Sequence, residues 1–169
     1  RSNYTISLRV REDRNHIASD ASGATPFTTP ASYSVAYNAN CGTGTPPATV
    51  TRDSGSVTVA AGSGLTRVGY TFAGWNTRAD GSGTPCPAGG TLSTGATLYA
   101  QWTANAYTVQ FSANGGAGTM ADERYTYDAA QALTANAFTR DGFYFAGWAA
   151  GANGAALYSD RQSVQNLTG

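Results

Sequence analysis

Residues 65–75 read LTRVGYTFAGW, and residues 138–148 read FTRDGFYFAGW. Each is preceded by a second matching block, YSVAYNANCGTGT at 33–45 and YTVQFSANGGAGT at 107–119. The offsets are 73 and 74 residues, so one single-residue gap aligns both blocks and the chain is a tandem repeat. Repeat one spans 33–102 and closes on TLYAQW; repeat two spans 107–169 and carries no counterpart of 96–102, the closing strand. Only Thr103–Ala106 joins them, too little slack for independent motion, which predicts a semi-rigid pair.

Inside each repeat the apolar period is two, the period of a half-buried strand. Tyr33, Val35 and Tyr37 alternate with Ser34 and Ala36, and Tyr107, Val109 and Phe111 repeat the pattern. Phe72 and Phe145 share a strand face with Tyr70 and Phe143, while Leu98, Ala100 and Trp102 line the closing strand. Trp75 and Trp148 end equivalent strands, and this recurrence assigns them and Trp102 to a repeated core rather than a sugar-stacking platform. Only Asp128–Asn136 reads as a short helix, with Asp128 as its N-cap. Its counterpart, Ser56–Ala60, reads as a strand instead. The expected fold class is mainly β to α+β.

Composition agrees with a folded, β-rich chain of 169 residues. Leu, Ile, Val and Phe supply only 23 residues, under the level of about 20% at which a highly charged chain fails to fold. Here net charge is zero, and 19 aromatics, ten of them Tyr, provide the missing apolar area. All ten basic residues are Arg, which removes Schiff-base and P-loop lysine chemistry. One His and two Cys cannot build the common zinc sites, and no nucleophile–base constellation is available, so an enzyme is not expected. No cofactor is expected either. Ten Arg balanced by ten acids, without a basic run, argue against a nucleic-acid partner. No apolar run nears the roughly 18 residues of a membrane span, so membrane insertion is not expected. The chain starts at Arg1 without a leader, which reads as a processed or excised start.

Cys41 and Cys86 both fall in repeat one, and both are absent from repeat two, where Gly115 and either Tyr158 or Ser159 align with them. Paired gain within one module favours a Cys41–Cys86 disulfide and an oxidising, extracellular setting; two half-buried thiols are the alternative.

The signature YxVxFxANGGxGTM, then FTRxGYxFAGW, then ADGSGT and TLYAQW, resembles the Listeria–Bacteroides repeat family, the broad group that includes the B-repeats of internalins. The resemblance covers 33–102 and 107–169. It implies small β-grasp-like modules around a short helix, in secreted or surface-anchored bacterial proteins that carry them in series. The family has no catalytic residues to carry over.

Ahead of the repeats, 1–11 reads as an amphipathic strand in which Tyr4, Ile6, Leu8 and Val10 alternate with polar residues, and 12–32 reads as a flexible linker. That strand has no partner within the repeats, while repeat two lacks one. Three functions therefore stand side by side. The first is a non-enzymatic extracellular module for adhesion, spacing or assembly, with a protein partner on a host or cell surface. The second is a self-assembling filament in which strand 3–11 of one chain completes repeat two of the next. The third is a glycan-binding module, which a row of exposed aromatics would favour. Partners would be read by loops 38–46, 76–90 and 149–156.

Overall fold

Alternation at 33–38 and 70–76 demands strands with one buried face. The structure, a computed structural model that describes residues 3–4, 27–28 and 31–167, has strands at both places. Among these residues every regular element is a strand. At the N-terminus β1 (Asn3–Tyr4) pairs antiparallel with β2 (Phe27–Thr28), Asn3 opposite Thr28 and Tyr4 opposite Phe27. The N-terminal strand thus pairs at Asn3 and Tyr4 with residues outside the repeats, in the stretch read as a flexible linker. Ile6, Leu8, Val10 and nearly all of the linker lie outside the described residues.

The first module is built on β3 (Tyr33–Asn38), β4 (Thr43–Gly44), β5 (Val50–Arg52), β6 (Val57–Thr58), β7 (Leu65–Thr66), β8 (Tyr70–Asn76), β9 (Pro85–Cys86), β10 (Thr91–Leu92) and β11 (Ala96–Ala104). Five of these form one sheet in the order β5-β3-β11-β8-β9. The closing strand β11 lies at its centre. It runs parallel to β3, with Ala96 opposite Val35 and Tyr99 opposite Asn38. On its other edge it is antiparallel to β8, with Ala100 opposite Trp75 and Trp102 opposite Phe72. The register slips between Gln101 and Trp102, where Gly74 takes a φ of 130° to form the bulge. Small antiparallel pairs, β4 with β7 and β6 with β10, fold over the sheet.

Burial follows the alternation. Val35, Leu98 and Ala100 are fully buried and Trp75 nearly so, together with Val57, Val59, Leu65 and Cys86. Trp75 meets Tyr37 and Phe72 edge-on at 4.9 and 5.2 Å, and its indole N–H donates to the Ala60 carbonyl at 2.9 Å. Trp102 covers Phe72 at 5.7 Å and donates to the carbonyls of Ala39 and Asn40 at 3.1 and 3.0 Å. Its ring lies over Gly42, which leaves no room for a Cβ. Each large apolar side chain so buried contributes about 1.5–3 kcal/mol.

The second module holds β12 (Ala106–Val109), β13 (Glu123–Thr126), β14 (Gln131–Ala132) and β15 (Ser163–Val164), paired antiparallel as β12 with β13 and β14 with β15. Its core is smaller: Tyr125, Leu133 and Val164, with Tyr107, Val109, Phe111 and Trp148 packed half-buried against them. Residues 143–148, the counterpart of β8, belong to no sheet, and only Trp148 bridges Tyr158.

Three expectations are corrected. The Asp128–Asn136 helix does not form. Asp128 sits at a φ of 60°, outside any helix cap, and Gln131–Ala132 pair with Val164 and Ser163, so sheet pairing overrides the Ala-rich helix propensity. The described residues are accordingly all-strand, the mainly β side of the expected fold class. Second, Phe145 is not core: it stands 39% exposed, and among the described residues no strand pairs beside it as β11 pairs beside Phe72.

Third, the Cys41–Cys86 bridge is absent and both thiols are free. Cys86 turns inward opposite Trp75, as Tyr158 does opposite Trp148, and burial pushes its thiol up in pKa. Cys41 is exposed on the Asn40–Cys41 turn, at a φ of 68° where Gly115 has 81°. A left-handed Cys is strained where glycine is not, so Cys41→Gly should raise module-one stability by about 1 kcal/mol. Had a bridge closed the loop of 46 residues, the same change would cost about 4 kcal/mol. The sign of the shift in thermal midpoint therefore decides between the two.

Candidate functional site

Two features stand out once the strands are in place: the joint between the modules and an uncovered edge of the second.

The joint is a single residue. β11 ends at Ala104 and β12 begins at Ala106, leaving Asn105 between them. Both modules grip it. Asn105 N–H donates to the Gly69 carbonyl of module one, its own carbonyl accepts from Tyr127 N–H of module two, both at 2.8 Å, and Thr71 Oγ1 donates to its side-chain oxygen at 2.6 Å. A second clasp lies alongside. The Tyr70 hydroxyl donates to Asp128 Oδ2 at 2.7 Å, and the Tyr70 and Tyr127 rings meet edge-on at 5.7 Å. Asn166 completes it, donating to Asp128 Oδ1 and accepting from Asp128 N–H, both at 2.7 Å. These bonds hold the Asp128 carboxyl below its ordinary pKa, the Tyr70 hydroxyl first, then Asn166, with the Arg67 charge a smaller contribution. The same bond raises the pKa of Tyr70. Gly69 takes a φ of 75° here, and a Cβ on it would overlap the Tyr127 ring.

Sequence reading found the short joint but missed Gly69, Tyr127, Asp128 and Asn166 as its parts. Gly69 was visible as the glycine before the GY/GF strand. The pairing of Tyr70 with Asp128 spans 58 residues and left no local signal.

Among the described residues no strand lies between β12 and residues 143–148, where module one has β11. A cleft of about 760 Å³ opens there, floored by Phe111, Phe138 and Trp148 and walled by Phe143, Tyr144 and Phe145. A smaller cleft of about 240 Å³ continues past Phe111 and Trp148 to Val109 and Leu133. Phe143 and Tyr144 are 67% and 88% exposed. Trp148 is half-buried, and its indole N–H is enclosed without an acceptor among the described residues, whereas Trp75 has Ala60.

Of the other residues singled out in the sequence, Tyr33, Val35, Tyr37, Phe72, Trp75 and Trp102 meet in the first core, and Tyr107, Val109, Phe111 and Trp148 in the second. Asn76, the one buried polar side chain among the described residues, donates to the Gly81 and Gly83 carbonyls and accepts from Arg78 N–H, so its capacity goes to shaping that loop. Asp80 likewise accepts from Ser82 N–H and hydroxyl, which lowers its pKa and makes it a turn residue.

The family described as the Listeria-Bacteroides repeat domain matches residues 33–101 and again 107–168. Two proteins of Evansella cellulosilytica are similar over part of the chain. One, named "Putative Gly-rich membrane protein", is 53% identical over 55 residues, which are 31% of this chain and 6% of that protein. The other, named "Putative membrane protein", is 54% identical over 52 residues, 29% of this chain and 8% of its own length. The chain thus spans under a tenth of either relative. No solved structure matches it.

Proposed function

Since the chain belongs to the Listeria-Bacteroides repeat domain family, with two copies in series, we propose that it is a non-enzymatic spacing module of a bacterial cell-envelope protein, displayed outside the cell. The observation that carries this reading is the one-residue joint at Asn105, gripped by backbone hydrogen bonds from both modules and by the Tyr70–Asp128–Asn166 clasp. A joint of that kind converts two small cores into one stiff unit, which a spacer needs and a flexible string of binding domains does not. The names of the much longer Evansella relatives support a place at the envelope. The exposed Phe143 and Tyr144 are aromatics a glycan could stack on, but the tryptophans are not set out as a platform: Trp75 is enclosed, and Trp102 and Trp148 are half-buried.

The test is nuclear magnetic relaxation at neutral pH, where the two modules should tumble with one shared correlation time. Separate correlation times would sink the spacing role. Acid supplies the second half of the test. Asp128 has a depressed pKa, so what its clasp contributes is present above the ordinary carboxylate range and is lost as pH falls through the lowered value. Inter-module order should therefore hold at neutral pH and loosen under strong acid, and Asp128→Ala should loosen it at neutral pH. A joint that stiffens or stays unchanged on acidification would contradict the assignment.

A further inference from the structure

Module one meets the joint with a corner made of Arg67, Gly69 and Tyr70, and repeat two makes the same corner from Arg140, Gly142 and Phe143. The shape is common to both. The glycines take a φ of 75° and 74°, and the guanidinium carbon lies 3.8 Å from the centre of the Tyr70 ring and 4.3 Å from that of Phe143. The hydroxyls are not common. Tyr70 donates to Asp128, whereas Phe143 carries no donor, and Thr71, which donates to Asn105, has Tyr144 as its counterpart. The opposite half of the joint differs between the repeats as well. Tyr127 and Asp128 form the turn after β13. Strand register puts Ser54 and Gly55 at those places in module one, since Tyr33 lies opposite Arg52 as Tyr107 lies opposite Tyr125. The backbone agrees, with a φ of 81° at Gly55 and 60° at Asp128. A Ser-Gly turn offers neither a ring to lie against Tyr70 nor a carboxylate to accept its hydroxyl.

We propose that the corner of Arg67, Gly69, Tyr70 and Thr71 selects the module that follows it. It holds a repeat whose turn in the place of Tyr127-Asp128 carries an aromatic residue and then Asp, and it does not hold one with Ser-Gly there. The two modules are therefore not interchangeable along the chain. The backbone bonds at Asn105 are blind to side chains, so a repeat of either kind can make them; the Tyr127 ring and the Asp128 carboxylate distinguish one repeat from the other. The ring covers Gly69 so closely that a Cβ there would overlap it. The carboxylate is aimed by its own module, because Asn166 binds Asp128 Oδ1 and the Asp128 N–H and leaves Oδ2 for Tyr70. A Ser-Gly repeat in second place would leave the Tyr70 hydroxyl without its acceptor and the Gly69 corner uncovered, which is discrimination by loss of fit. This selection rests on the stiff joint proposed above and adds to it which module the joint accepts.

The experiment compares variants of the whole chain by amide protection at residues 105 and 127, whose N–H groups make the backbone bonds of the joint, and by the correlation times of the modules. Tyr127→Ser with Asp128→Gly gives module two the turn of module one. It is expected to lower that protection about tenfold and to split the shared correlation time, with the resonances of module two still dispersed. Tyr70→Phe gives module one the corner of repeat two. It should lower protection roughly threefold in the unaltered chain and have no further effect in the double variant, because its hydroxyl acts through Asp128. Ser54→Tyr with Gly55→Asp places the same residue types on the module-one turn, where a Cβ at Gly55 meets nothing, and should leave the joint unchanged. Full protection and one correlation time in the Tyr127→Ser, Asp128→Gly chain would overturn the selection while the stiff joint stands. So would an equal loss from the changes at Ser54 and Gly55, or an equal effect of Tyr70→Phe in both backgrounds. Separate correlation times in the unaltered chain would overturn the selection and the spacing role together.

Discussion

Replacing Trp75 with alanine is expected to unfold the first module at 25 °C while the second keeps its structure. Trp75 is 2% exposed, packed edge-on by Tyr37 and Phe72, and tied by its indole N–H to Ala60. Truncating a buried Trp removes its transfer energy and leaves a cavity, about 3–5 kcal/mol together. A module of this size sits near the lower end of the stability range, roughly 5 kcal/mol, so little or nothing remains. The check is a two-dimensional amide spectrum, in which resonances from 33–104 collapse and those from 107–167 stay dispersed. A thermal midpoint lowered by less than about 4 °C, which is under about 1 kcal/mol for such a module, would mean that Trp75 is not the centre of the core.

The second large effect falls on the joint. Gly69→Ala places a Cβ at a φ of 75°, which alone costs about 1–2 kcal/mol. It also drives that Cβ into the Tyr127 ring, which meets Tyr70 edge-on and cannot retreat without opening the clasp. The modules should come apart at the joint while each stays folded, and the shared correlation time should split in two. Gly142 provides the control. It is the counterpart of Gly69 in repeat two, with a φ of 74°, and a Cβ there meets nothing. Gly142→Ala therefore carries the backbone strain without the collision. If both variants behave alike, the Gly69–Tyr127 contact does not hold the modules together.

Much of this architecture is legible in the residues because a repeat supplies its own alignment. The two FAGW blocks fix the strand ends, and the alternation from Tyr33 to Tyr37 fixes β3. The closing TLYAQW lies within β11. What failed was local propensity read without its partner. The stretch from Asp128 to Asn136 looks helical alone, but its counterpart Ser56–Ala60 looks like a strand, and pairing with 163–164 decides in favour of the strand. The cysteines misled for a related reason. Co-occurrence in one module says nothing about direction, and one side chain faces solvent from a left-handed turn while the other faces the core. The geometry around residues 143–148 left no local signal in the sequence. That Gly147 keeps its bulge and that the Trp148 indole lacks an acceptor are facts of three-dimensional placement.

The parallel pairing of β3 with β11 bears on how the chain carries load. These are the first and last strands of module one, adjacent and running the same way. Tension between the two ends of the module pulls them in opposite directions along their common axis. The ladder from Ala96–Val35 to Tyr99–Asn38 is then loaded in shear, all its bonds at once, rather than peeled one by one. In the second module the described residues pair β12 with the antiparallel β13, a ladder whose hydrogen bonds can be opened one after another.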